Sequence, residues 1–231
     1  MRLLGIETAT GHLSVALWLD GEIVERSEHL ANGGSERLLP WIGGLLADAG
    51  MHSAQLDGIA FGAGPGGFTG LRLACGVAQG IAWALDRPVL PVSTLEALAL
   101  GCGHERVWAC LDARMEEIYC ATYRVEREKA AVTQLDPPMC VRPAAAPILQ
   151  LEGAWGVGDG FRPHGDALRL RNPSLAGVDP DLYPTATAVL RLAASRFAAG
   201  EGFAAPAAQP MYVRDKVALT TAERLARGGV K

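Results

Sequence analysis

The residues best suited to chemistry in this chain are glycines. Gly62, Gly64 and Gly67 satisfy G-x-G-x-x-G after an apolar run, Leu56 to Phe61, and before a helical segment. Backbone N–H groups in such a turn, next to a helix N-terminus, suit a phosphate. A second cluster, Gly156-Val157-Gly158-Asp159-Gly160, follows another short strand. Glu7 and Thr8 end the first strand, where a carboxylate and a hydroxyl could serve a metal-bound water and a phosphate. A nucleotide lying between two lobes would therefore meet Thr8, Gly64, Gly66, Gly67, Gly158 and Gly160. At each position the competing reading is structural, a tight turn or a turn cap.

The dinucleotide version of this site lacks its acid. The fingerprint requires Asp or Glu at the end of the next strand, to hold the ribose. That strand, Pro88 to Val92, ends in Ser93 and Thr94, and Asp86 precedes it. There is no GxxxxGK[ST] loop and no GxSxG elbow. His12, His29, His52, His104 and His164 show no HxxxH or HExxH spacing, so solvated side chains are expected and no metal site. Cys75, Cys102, Cys110, Cys120 and Cys140 are odd in number and form no CxxC pair, which points to buried free thiols.

With 231 residues, 49% of them hydrophobic, the chain can bury a large core. The formal net charge of -4 gives no general attraction to nucleic acid. No apolar run is read as reaching the ~18 residues of a membrane span. The start, MRLLGIETATG, is too short for a signal segment, and a cytoplasmic location is expected.

The elements that position the glycines follow from periodicity. Residues 2–7, 12–19 and 22–29 read as strands of an antiparallel meander, with Thr10-Gly11 and Asp20-Gly21 as turns. Asn32-Gly33-Gly34-Ser35 leads into an amphipathic helix ending at Gly50. The strand at 56–61, the glycine cluster, a second helix, the strand at 88–92 and a helix from Thr94 or Ser93 complete a β-β-β-α-β-α-β-α order. A second lobe is expected from residue 101 to 231, with paired strands at 107–112 and 117–125 around the turn ARME. A linker covers 136–147, a strand 154–158 and a helix 185–199, which can return to the first lobe, residues 1–100. PMYVRDKVALTT reads as an extended piece before a frayed tail.

The second helix carries a small-residue stripe, Gly70, Ala74, Ala78 and Ala82, flanked by Leu73, Val77, Ile81 and Leu85. Its one charged residue is Arg72. Packing on its own sheet accounts for one face; an apolar second face requires another helix or another chain. Leu39, Ile42 and Leu46 of the preceding helix are the companions. The expected interface is thus Leu39, Ile42, Leu46, Gly70, Ala74, Val77 and Ala78.

IETAT, GPGGFTGLRLACGVAQGIA, PVSTLEALA, DARMEEIY, GVGDG and PMYVRDKVA, in this order, resemble the bacterial TsaB family, also called YeaZ. The resemblance covers nearly the whole chain, and Gly67 stands where the family usually has Ser. It implies an α/β fold of the actin-like, sugar kinase and Hsp70 type. It also implies a non-catalytic partner of TsaD that acts with the ATPase TsaE in transferring a threonylcarbamoyl group to N6 of adenosine 37 in tRNAs reading codons that begin with A. The metal-bearing HxxxH of TsaD falls at Thr94 and Leu98 here, which cannot ligate a metal. In the family the first two helices meet TsaD, or a second copy when TsaD is absent, and tRNA is held mainly by TsaD. The alternatives are a weak ATPase, a glycoprotease-like metallopeptidase, or a free homodimeric binding protein. Asp112, Arg114 and Glu117 receive no role beyond a polar turn at the lobe boundary.

Overall fold

The structure, a computed structural model, describes residues 1–30 and 33–214. Asn32 of the expected capping loop and the piece from Asp215 onward lie outside the described residues. The first lobe contains β1 (Arg2–Glu7), β2 (His12–Leu19), β3 (Glu22–His29), α1 (Gly34–Asp48), β4 (Gly58–Gly64), α2 (Phe68–Leu85), β5 (Val89–Ser93) and α3 (Thr94–Gly101). This is the order read from periodicity. The second contains β6 (Arg106–Arg114), β7 (Glu117–Glu126), β8 (Ala131–Gln134), β9 (Met139–Val141), β10 (Trp155–Val157), α4 (Phe161–Arg171) and β11 (Gly177–Asp179), followed by α5 (Ala186–Ala198).

The first sheet has the order β3-β2-β1-β4-β5, antiparallel through β1 and parallel beyond it. Asp20 and Gly21, both at positive φ, make the two-residue turn expected of Asp-Gly. The second sheet runs β11-β10-β6-β7-β8, with β9 also paired to β7. The linker expected at 136–147 therefore contains a strand, and α4 and β11 are elements that periodicity did not separate. The buried positions of α4, Phe161 and Leu168, are only two and lie among arginines, too sparse a pattern to stand out.

Alternation along the strands assigns the layers. Leu4 and Ile6 face α1 and α2 in one buried cluster with Leu38, Ile42, Leu45, Ala74 and Ala78. Leu3, with Ala16, Ala60 and Leu90, faces α5 in another. Helix α5 thus lies on the first sheet, although the chain reaches it through the second lobe. It approaches so closely that a Cβ on Gly5 would stand 2.6 Å from Leu190 Cγ. Its N-terminus is held there too, because Ala186 N donates to Ser14 Oγ at 2.8 Å and Thr187 N to Glu25 Oε1 at 3.0 Å. Helix α3 is wedged between the lobes, with Ala97 on the first sheet and Leu95, Leu98 and Ala99 on the second.

At 18 residues, α2 is long and apolar enough to qualify as a membrane span by length and composition, contrary to the expectation from the sequence. Its packing gives it another role. Leu71, Ala74, Cys75, Ala78 and Ala82 are buried on the sheet, so the helix is one layer of an α/β sandwich.

Because Leu190 is fully buried where the two halves of the chain meet, Leu190→Ala should cost about 3 kcal/mol. Chemical denaturation reads this as a lower midpoint with an unchanged slope.

Candidate functional site

The glycine loop is seated on the turn between β1 and β2. Thr8 Oγ1 donates to Gly70 O at 2.7 Å, and Gly67 N donates to Ala9 O at 2.7 Å. The approach leaves no room for side chains. A Cβ on Gly66 would be 2.5 Å from Ala9 O, and one on Gly70 would be 1.9 Å from Thr8 O. Gly62 lies within β4 and yields to Glu7, whose Oε2 would be 1.9 Å from its Cβ. Of the fingerprint glycines, Gly62 thus answers to Glu7 and Gly67 to Ala9, while Gly64, at a φ of 119°, lies under Met211 O, 2.6 Å from where its Cβ would stand.

Glu7 is fully buried. Its Oε1 accepts from Ala9 N at 2.7 Å, while Oε2 has no partner among the described residues. Burial pushes its carboxyl up to about 7, against the opposing pull of the Ala9 and Thr8 amides and the Thr94 hydroxyl.

This geometry bears on the residues expected to cradle a phosphate. A cradle needs free amides pointing at the ligand. Gly64 N donates to Thr94 Oγ1 at 3.1 Å, Gly67 N to Ala9 O, Gly158 N to Asp179 O at 2.9 Å, and Gly160 N to Cys110 O at 3.1 Å. The Thr8 hydroxyl is committed to Gly70, and Gly66 is pressed on Ala9. Gly158 and Gly160 serve a close approach to β6, where added Cβ atoms would meet Cys110 O at 2.4 and 3.0 Å. Gly64, Gly67, Gly158 and Gly160 thus spend their amides within the fold. The residues at the position of the HxxxH pair do not fit a metal: Thr94 Oγ1 is bonded to Gly64 N, and Leu98 is fully buried against the second sheet. Among the described residues no three His, Cys, Asp or Glu side chains group as ligands. The five cysteines are free thiols, of which Cys75, Cys110 and Cys120 are buried. Burial pushes the Cys120 thiol up to about 12, so it is unreactive.

The DARMEEIY segment acquires a structural account. Arg114, Met115 and Glu116 all adopt left-handed backbone, with φ of 60, 56 and 61°. Each non-glycine residue there costs about 1–2 kcal/mol, so the turn must be held from outside. Asp112 holds one side, accepting from Arg114 N at 2.8 Å and pairing with its guanidinium at 2.9 Å. Arg214 holds the other, donating to Ala113 O at 3.0 Å and to Glu117 Oε2 at 2.5 Å. Asp112 N is in turn bonded to Asp159 Oδ1 at 3.0 Å, and burial keeps the Asp159 carboxyl above its ordinary range.

Residues 211–214 form a strap between the lobes. Met211 N donates to Ala63 O at 2.7 Å beside β4, and three residues later Arg214 is fixed to β7. The strap borders a cleft of about 950 Å³ lined by the Thr8–Gly11 turn, the start of α2 and the Asp112–Met115 turn. A larger groove, about 1360 Å³, runs beside β7, β8 and α5. Its five cations and five carboxylates balance, so it favours no ligand of one sign.

The outer surface of α1 and α2 differs from the expected interface. Ala74 and Ala78 are fully buried on the sheet, Gly70 covers Thr8, and Ile42 and Leu46 are core residues. A small-residue stripe lets a sheet approach as readily as a helix, and here the sheet takes it. Leu39 is 58% exposed and Val77 half-buried. A second small series, Gly76, Gly80 and Ala84, faces outward on α2, with Leu73, Val77 and Ile81 beside it. Exposed Gly43 lies outward on α1. Among the described residues nothing lies within 4 Å of a Cβ built at Gly43, Gly76 or Gly80. Each such glycine costs a helix about 1 kcal/mol relative to Ala, with no contact among the described residues to require it. The four-residue spacing of Gly76, Gly80 and Ala84 was the signal for this face, masked by the alanine series offset by two residues, on the opposite side of the helix.

Two lobes of mixed sheet, a meander before the first helix and a helix wedged between the lobes make this an actin-like α/β protein of the sugar kinase and Hsp70 type. The family model described as TsaD: tRNA N6-adenosine threonylcarbamoyltransferase matches residues 28–218. The chain is 36% identical over 231 residues to the tRNA threonylcarbamoyladenosine biosynthesis protein TsaB of Escherichia coli K12, covering 94% of this chain and 96% of that protein. The protein of the same name from Haemophilus influenzae is 33% identical, with 94% and 95% covered. The solved YeaZ from Pseudomonas aeruginosa superposes with a TM-score of 0.84 at 37% identity, over 91% of this chain and 99% of that one. The chain belongs to the TsaB (YeaZ) family.

Glu7 also makes stability depend on pH. Its folded-state pKa of about 7 lies above the ordinary 4.5, so folding favours the protonated form. The associated stability is complete below the ordinary value and is lost as pH rises towards the folded value. Relative to Glu7→Gln, the wild type should lose about 3 kcal/mol between acid and mildly alkaline pH. Paired denaturation curves over that range measure the difference, and parallel curves would refute the assignment.

Proposed function

We propose that this chain is a non-catalytic subunit in tRNA threonylcarbamoyladenosine biosynthesis. It binds the TsaD transferase through the outward face of α1 and α2, in an assembly with the ATPase TsaE, in the cytoplasm. The observation that carries the partner face is the set of exposed helix glycines, Gly43, Gly76 and Gly80. An outward glycine lets a second helix approach a backbone closely, which offsets its propensity cost only when that helix is present. Leu39, Leu73, Val77 and Ile81 supply apolar surface around them, and Trp83, 69% exposed, extends it.

The absence of chemistry in this reading rests on residue types. Thr94 and Leu98 cannot hold a metal, and the amides of Gly64, Gly67, Gly158 and Gly160 are spent within the fold. The chain contributes a rigid surface that fixes the transferase, and tRNA is carried mainly by that partner. The same face accounts for a homodimer when the transferase is absent.

Ala74→Arg and Ala78→Arg would place a charge against the sheet and unfold the chain, so they cannot test this interface. Gly76→Arg and Gly80→Arg can, because arginine is the better helix former by roughly 1 kcal/mol and the space is open. Both variants should melt no lower than wild type yet fail to copurify with TsaD and fail to support modification of tRNA by TsaD and TsaE. Retention of copurification by both would refute the face.

A further inference from the structure

Phe68 and Arg72 stand one turn apart at the start of α2, and Tyr212 of the strap rises beside them. The Arg72 guanidinium carbon lies 3.7 Å from the Phe68 ring centroid, and its Nε donates to Tyr212 Oη at 3.2 Å. The two rings are 6.0 Å apart and tilted by 32°. The cation is therefore held in one place from two sides, yet the cluster is open to solvent: Phe68 is 41% exposed and Tyr212 50%. Arg72 has no carboxylate partner among the described residues, which leaves its terminal N–H groups free. Arg114 lines the same cleft from the other lobe, with its side chain 86% exposed.

A fixed guanidinium flanked by exposed aromatic rings can stack an unpaired base, and a free N–H fork can take the phosphate beside it. Charge agrees with this ligand. The described charged residues lining the cleft are Arg72, Arg114 and Arg214 against Asp112 and Asp159, a local excess of one positive charge in a chain of net -4.

We propose that the mouth of the interlobe cleft binds single-stranded RNA, with one base stacked on the Phe68–Arg72–Tyr212 platform and its phosphate on Arg72 and Arg114. This rests on the tRNA-modification reading and gives the subunit a direct hold on the substrate. Arg72 lies on the same helical line as Gly76 and Gly80, so RNA gripped here would run along the edge of the partner's seat.

Fluorescence anisotropy of the full chain with labelled unmodified tRNA and with a single-stranded oligonucleotide tests the proposal. Wild type should bind both and weaken between about 50 and 200 mM salt. Arg72→Ala and Phe68→Leu should each weaken binding by about tenfold, and Arg72→Lys should recover only part because it lacks the planar fork. Melting temperatures should stay unchanged, since these positions are exposed. Absence of binding by wild type, or equal binding by Arg72→Ala, overturns the proposal. So does loss of TsaD copurification by Arg72→Ala with RNA binding intact, which would assign the platform to the protein partner. The reading beneath it fails separately, if wild type does not support modification with TsaD and TsaE.

Discussion

The constraint on which the rest of this structure depends is the seating of the glycine loop on the Glu7–Ala9 turn. Two backbones meet with no side chain between them, joined by Gly67 N to Ala9 O and by Thr8 Oγ1 to Gly70 O. That contact fixes where α2 begins. The direction of α2 then determines which residues meet the sheet and which meet solvent. Glu7 strengthens the arrangement from below, since its carboxyl shapes the turn by accepting from Ala9 N. A buried acid with one bonded oxygen is costly when charged, and the fold meets this by keeping it protonated over much of the acid range.

Helix α2 has small residues on both sides, and they do different work. The inner alanines let the helix lie close to β4 and β1, where their methyl groups fill the gap without strain. The outer glycines lie under open space among the described residues, where helix propensity alone does not favour them.

The two lobes are joined by more than a linker. Helix α5 crosses back to the first sheet and is capped there by Ser14 and Glu25, α3 is shared between the sheets, and the strap carries Arg214 to Glu117. The cleft that remains between them carries Phe68, Arg72 and Tyr212 at its mouth. Three successive left-handed residues at Arg114–Glu116 persist because Asp112 and Arg214 hold the turn from both sides.

The order of strands and helices through residue 101 was legible because alternation and helical spacing are local, and so was the family, because its motifs recur in order along the chain. The apolar and small character of α2 was legible too. The sequence could not say which of its two small series would turn inward, since a helix has no inside until a sheet is placed against it. Nor could spacing distinguish glycines that cradle a phosphate from glycines that yield to Glu7, Thr8 and Ala9, because both need a missing Cβ and differ only in where the amides point. Strand β9 was too short to show a period, and the pairing of Arg214 with Glu117 spans 97 positions. Composition and local pattern determined the elements and the lineage of this chain. Tertiary contact alone decided which faces are buried, which amides are spent and which surface stays exposed.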